Sequence, residues 1–105
     1  MKTSINLTQV PNQSVSANIT DASGITHIVD MKLRTMPTGY LIMDMTIDDN
    51  VIFYGRRCVN KMPLVLGYDI PGNFYFYDQY DNTDPTYDKL GEQYLLIYDD
   101  EYQIG

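Results

Sequence analysis

The alternation of apolar and polar side chains between residues 25 and 48 constrains this chain more than any other feature. Ile25, His27, Val29, Met31 and Leu33 fall on one side of a period-two pattern, and Thr26, Asp30, Lys32 and Arg34 on the other. Leu41, Met43, Met45 and Ile47 repeat it, with Asp44, Thr46 and Asp48 opposite. A helix would scatter these positions around its circumference, whereas extended strands sort them into a dry face and a wet face. Met36-Pro37-Thr38-Gly39 reverses the chain between the two runs, and Asp48-Asp49-Asn50 turns it into Val51 to Val59. Residues 25–59 read as a three-stranded meander whose core includes Ile25, Val29, Met31, Leu33, Leu41, Met43, Met45 and Ile47.

The flanking segments carry the same signature. Ser4 to Val10 and Val15 to Thr20 alternate, joined by Pro11-Asn12-Gln13, and Asp21-Ala22-Ser23-Gly24 has the residues of a hairpin turn. Pro63-Leu64-Val65-Leu66-Gly67 is apolar without a clear period. Ile70-Pro71-Gly72-Asn73 suits a type II turn with Gly72 at i+2, and Phe74-Tyr75-Phe76-Tyr77 is a strand by aromatic content. In Asp84-Pro85-Thr86-Tyr87-Asp88-Lys89-Leu90-Gly91 an aspartate at N-cap, proline at N1 and glycine at C′ predict a short helical turn near residues 85–90. Gln93 to Asp99 returns to strand. The expected fold is all-β: residues 1–105 as one small barrel or sandwich of about seven mostly antiparallel strands.

Charge and rare residues exclude several functions. Fourteen acidic residues against seven basic ones give a net charge of −7, a field that repels a phosphate backbone, so nucleic acid is not an expected partner. Cys58 is the only cysteine and His27 the only histidine, which leaves no internal disulfide and no zinc site drawing on several imidazoles. No apolar h-region follows Lys2, and no apolar run approaches the ~20 residues of a spanning helix, so neither a signal peptide nor a membrane partner is expected. Acid and tyrosine are unevenly distributed. Residues 1–68 hold six basic and five acidic groups, whereas residues 69–105 hold one basic and nine acidic groups and eight of the ten tyrosines, counting Tyr68 at their border.

The candidate sites each have a plainer reading. Asp78, Asp81, Asn82, Asp84 and Asp88 suggest calcium, but counting from Asp78 the sixth position is Thr83 rather than glycine and the twelfth is Lys89 rather than glutamate. A solvated acidic loop fits better, and the same carboxylates form no distinctive glycosidase pair. His27, on the apolar side of its strand, reads as a hydrogen-bonded structural histidine and Cys58 as a small core residue. Arg56 and Arg57 point to opposite faces of a regular strand, so they form no basic patch by themselves. No catalytic residue, metal ligand or cofactor is assigned, and the protein is not expected to be an enzyme. Tyr77, Tyr80, Tyr94 and Tyr98, with Asp81, Arg56 and Arg57, are the candidate interaction residues, because tyrosine joins apolar area to a polar tip. Asp84, Pro85 and Gly91 are assigned a structural turn.

Taken along the chain, Val10-Pro11-Asn12-Gln13-Ser14, Gly55-Arg56-Arg57-Cys58-Val59, Pro63-Leu64, Gly72-Asn73-Phe74 and above all Asp84-Pro85-Thr86-Tyr87-Asp88-Lys89-Leu90-Gly91 resemble the baseplate plug family of contractile-tailed phages, named from a cyanophage baseplate, over about residues 7–99. The resemblance implies a small β-rich structural protein of the virion tail tip, made in the host bacterial cytoplasm. It implies tail and baseplate proteins of the hub, tube and spike region as partners and no catalytic residues, and strand edges left open by a short sheet leave room for a homo-oligomer in the assembled particle. The alternative is a β-sandwich that binds glycan through tyrosines, with or without calcium. A further reading, an acidic mimic of DNA, rests on net charge alone. A glycan site would be one concave aromatic cluster and an assembly surface a distributed one.

Overall fold

A computed structural model describes residues 1–65 and 72–102. The expected meander is present and gains a fourth strand. With β1 at Lys2–Ile5, β2 at Gln13–Thr20, β3 at Thr26–Thr35, β4 at Leu41–Ile47, β5 at Asn50–Arg57, β6 at Asn73–Asp78 and β7 at Tyr94–Asp99, the strands form two antiparallel sheets. One is ordered β2-β3-β4-β5 and the other β1-β7-β6. The fold is all-β apart from a 3₁₀ turn at Tyr87–Lys89, and the sheets do not close into a barrel.

Local turn chemistry explains the meander. The β2–β3 hairpin closes on Gly24 at φ 84°, and the Asp21 carboxylate accepts the N–H groups of Ser23 and Ile25 at 2.9 and 3.0 Å. The β4–β5 hairpin turns on Asp48 and Asp49 at φ 50° and 65°, the left-handed pair that a tight hairpin of matching twist requires. Val29, Met31 and Leu33 of β3 face Ile47, Met45 and Met43 of β4 and are buried, while Asp30 and Lys32 point out. Ile25 departs from the expected core and is 57% exposed. It ends the hairpin turn, bonded to Asp21 through its own backbone, and so stands one step beyond the paired strand.

The two sheets share one core. Met31, Leu41, Met43, Met45 and Phe53 pack in a single cluster with Phe74, Phe76, Leu96 and Tyr98. Two features bind the sheets covalently and by hydrogen bonds. The first is β1, shorter than the expected Ser4–Val10 strand, which joins β7 rather than β2 and pairs Lys2 with Asp99 and Ile5 with Leu96. The second is the segment 58–65, which leaves β5 and crosses between the sheets. Cys58 donates its N–H to Leu41 in one sheet, while Lys61 and Leu64 donate to Phe76 and Phe74 in the other. The buried Asn73 side chain completes the crossing: its Oδ1 accepts the Val65 N–H at 3.0 Å and its Nδ2 donates to the Val65 carbonyl at 2.9 Å.

Part of the second half lies outside the described residues, including Leu66 and Gly67 of the apolar stretch and Ile70-Pro71 of the expected turn. Gly72 is described, and its φ of 80° is the left-handed conformation expected there. A Cβ at this position would lie 2.3 Å from the Asp99 carbonyl oxygen and 2.8 Å from the Asp100 Cα. Gly24 has a similar φ but open space around it. Gly24→Ala therefore carries only the left-handed penalty of about 1–3 kcal/mol, whereas Gly72→Ala adds a backbone overlap. Urea unfolding is expected to rank Gly72→Ala well below Gly24→Ala; equal midpoints would contradict the close approach.

Candidate functional site

The acidic, tyrosine-rich half is built around one buried carboxylate. Asp78 ends β6, and its side chain accepts N–H groups from Tyr80, Asp81 and Thr83 at 3.0 Å each and the Thr83 hydroxyl at 2.6 Å. Gln93 Nε2 adds a donor 3.1 Å from both oxygens. Burial opposes the charge, but the Thr83 hydroxyl and the backbone N–H groups more than offset it and hold this carboxyl well below the usual carboxylate range. With its lone pairs committed to donors, Asp78 organises the loop rather than presenting oxygens to a cation. Among the described residues no group of three or more His, Cys, Asp or Glu side chains converges as a metal set would.

The loop then docks on the crossing segment. Asn60 donates its N–H to Asp84 at 3.0 Å and its side-chain amide to Asn82 at 2.8 Å, and its Oδ1 accepts the Asp78 N–H at 2.8 Å. Arg57 Nη2 lies 4.0 Å from Asp84, and its guanidinium stacks 4.5 Å from the Tyr40 ring centre. Asp84 is thus not a helix cap as expected. The 3₁₀ turn starts at Tyr87 and its cap position is Thr86, which makes no side-chain cap bond, while the Asp84 carboxylate is taken by Asn60, 24 residues away. Pro85 is buried and precedes the Thr86 cap position, so it is not at N1 as expected. Gly91 behaves as expected, following the turn at φ 81° and donating its N–H to the Tyr94 carbonyl at 2.9 Å.

The candidate interaction residues divide. Tyr80 is 78% exposed and Tyr77 38%, the latter with the Lys61 ammonium 5.8 Å from its ring centre; Asp81 is exposed beside Tyr80. Lys61 belongs to the crossing segment, and Arg57, just before it, reaches Asp84 of the loop. Tyr94 and Tyr98 are not surface anchors: both are buried, Tyr98 at 1% exposure with its ring 4.9 Å from Phe74. They lie on the inward face of β7, the central strand of its sheet, and burial pushes the Tyr98 phenol up to about 12. Arg56 lies on the inward side of β5. It pairs across to Met43, whose side chain is inside, and its cation rests 5.2 Å from the Phe53 ring centre, whereas Arg57 pairs to Ile42 on the other face.

His27 and Cys58 have structural surroundings. The His27 ring sits between two carboxylates, with Nδ1 2.6 Å from Asp48 and Nε2 2.8 Å from Asp21. Only the doubly protonated ring can donate to both, so its pKa is raised by Asp48 and then Asp21, and both aspartates are lowered by the same bonds. Cys58 is fully buried and burial pushes its thiol up to about 12, so it is neither a thiolate nucleophile nor a partner for His27.

With the geometry in place, comparison with known families is decisive. Residues 2–101 match the family described as cyanophage baseplate Pam3 plug gp18. The chain belongs to this family. The match to the plug family spans both sheets, the crossing segment and the Asp78 loop. No curated protein matches the chain. No helix among the described residues is long and apolar enough to cross a membrane.

The His27 bridge fixes a pH dependence. A raised histidine pKa stabilises the fold fully below the unfolded value of 6.5, and that stability is lost as pH rises through the folded value. The lowered pKa values of Asp21, Asp48 and Asp78 stabilise above about 3.8, and that part is lost as pH falls through their folded values. Thermal melts across pH should therefore show a maximum on the acid side of neutrality. His27→Gln should remove the decline through neutral pH and shrink the acid limb, since His27 is the main cause of the lowered Asp21 and Asp48 values, leaving the part that Asp78 contributes; an unchanged decline through neutral pH would contradict the bridge.

Proposed function

We propose that the protein is a non-enzymatic plug component of a contractile phage tail baseplate, resident in the virion, that works by binding neighbouring tail proteins of the hub, tube and spike region. The observation that carries this reading is the family match over residues 2–101. The exposed surface supports it. Tyr77, Tyr80 and Asp81 are exposed in the acidic half, with Lys61 beside Tyr77, a mixture of aromatic area and charge that suits a protein contact. The Asp78 hydrogen bonds hold the loop in one form, which lowers the entropy lost on binding.

The surface offers less to a glycan reading. A groove on the outer face of the larger sheet is lined by Ser14, Ser16, Asp30, Lys32, Asp44, Thr46 and Tyr54, and so holds one tyrosine, on β5. Tyr77 and Tyr80 lie outside it. A carbohydrate site would gather several aromatic rings into one concavity.

Reconstruction of the intact particle tests the proposal. The protein is expected at the tail tip with Tyr77, Tyr80 and Asp81 at subunit contacts, and Tyr80→Ala is expected to lower its incorporation into purified particles. A protein absent from the particle, or contacts confined to residues 1–68, would overturn the reading.

A further inference from the structure

We propose that two copies of this chain pair edge to edge through β2, antiparallel, joining two four-stranded sheets into one of eight strands. The sheet edges differ in how well they are protected. β6 has the crossing segment beside it, and β1 is four residues long. β5 is broken by register shifts, carries Gly55 at φ 62° and ends on Arg56 and Arg57. These are the devices that keep an edge from accepting another strand. β2 has none of them. Its eight residues, Gln13–Thr20, contain no charge, no proline and no positive φ, and its register with β3 is unbroken.

The free hydrogen-bonding groups of β2 follow from the hairpin. Asp21 donates to the Ile25 carbonyl, so that pair is hydrogen-bonded, and alternation makes Ile19, Ala17 and Val15 the residues bonded to β3. Ser14, Ser16, Asn18 and Thr20 then direct N–H and C=O groups away from the sheet. All four are exposed, and no described residue outside the strand pairs with their backbone.

The side chains select a second copy as the occupant. With Ala17 opposite its own symmetry mate, Val15 faces Ile19, Ser16 faces Asn18 and Ser14 faces Thr20. Every pair joins apolar to apolar on the core face or polar to polar on the outer face. A shift of one residue opposes apolar to polar throughout, and a shift of two sets Gln13 against Ile19 in one direction and Val15 against Asp21 in the other. Being uncharged, the strand meets its copy without repulsion, although the whole chain carries −7. Val15 and Ala17, half-buried at the rim of the core, would be covered by the partner's residues. Twofold symmetry makes one such patch self-complementary. The pairing is independent of the tail role, so its failure would leave that reading untouched.

Cysteine cross-linking of the purified chain tests it. Ala17 occupies the non-hydrogen-bonded position on the axis, where the Cα atoms of opposed strands lie about 4.5 Å apart, within disulfide range. In oxidised glutathione, Ala17→Cys is expected to form a covalent dimer of twice 12.1 kDa, and Ser16→Cys is not. Cys58, buried with its thiol pushed up to about 12, does not compete. Without cross-linking, Ser16→Pro and Asn18→Lys are expected to stay folded by circular dichroism and to sediment as monomers where the parent chain is dimeric. Ser16→Pro removes only an outward N–H, and Asn18→Lys retains the pairing with β3 if proline distorts the strand. Linking at position 17 alone supports the proposal. Linking at both positions, at 16 alone or at neither would overturn it, as would dimers that survive both edge substitutions.

Discussion

The side chain of Asn73 acts as an extra peptide group inside the protein. Its Oδ1 takes the N–H groups of Val65 and Phe74, and its Nδ2 donates to the Val65 carbonyl, all within the buried interior. A buried amide left unpaired costs about 1–3 kcal/mol, so the end of the crossing segment is acceptable there only because this carboxamide meets it. The bonds seat Leu64 and Val65 in the core beside β6, while Cys58 holds the other end of the segment on β4. The segment thus covers an edge of the smaller sheet and ties it to the larger one. Gly72, immediately before Asn73, is pressed against the backbone of residues 99 and 100, so the same junction also fixes the end of β7.

That junction explains how a strongly acidic half can be an ordered surface. Asp78 would repel its acidic neighbours in an open loop. Here backbone N–H groups, a hydroxyl and an amide surround it, and Asn60 of the crossing segment receives the Asp84 and Asn82 side chains. Arg57 brings positive charge to Asp84, and Lys61 brings it to Tyr77. Tyr77, Tyr80 and Asp81 are left exposed on this base, aromatic and charged groups of the kind that set register and partner choice when proteins assemble.

The parts legible in sequence were those governed by near neighbours. Strands β3, β4 and β5 followed from alternation and two turns, and the structural role of His27 from its place on an apolar face. The parts not legible depend on distant partners. Nothing in Lys2–Ile5 shows that it prefers β7 to β2. In β7, Tyr94, Leu95, Leu96, Ile97 and Tyr98 are all apolar in part, so alternation cannot tell which side is inside, and Tyr94 and Tyr98 proved to be core. Asp84 has every local feature of a cap, but Asn60 takes its carboxylate from across the fold. Ile25 fits the strand period, but its backbone belongs to the turn. The signal for the Asn73 junction was an asparagine directly before an aromatic run, a polar residue that needs a partner once the run is buried.

Amide hydrogen exchange on the free protein tests the central claim, that the crossing segment and the Asp78 loop form part of one rigid body with the smaller sheet. The Leu64 and Val65 amides, bonded to Phe74 and to the Asn73 side chain, and the Asp78 and Thr83 amides, bonded to Asn60 and Asp78, are expected to be protected nearly as strongly as the amides between β6 and β7. Exchange of these four amides at the rate of solvent-exposed turns, with the strands still protected, would contradict it.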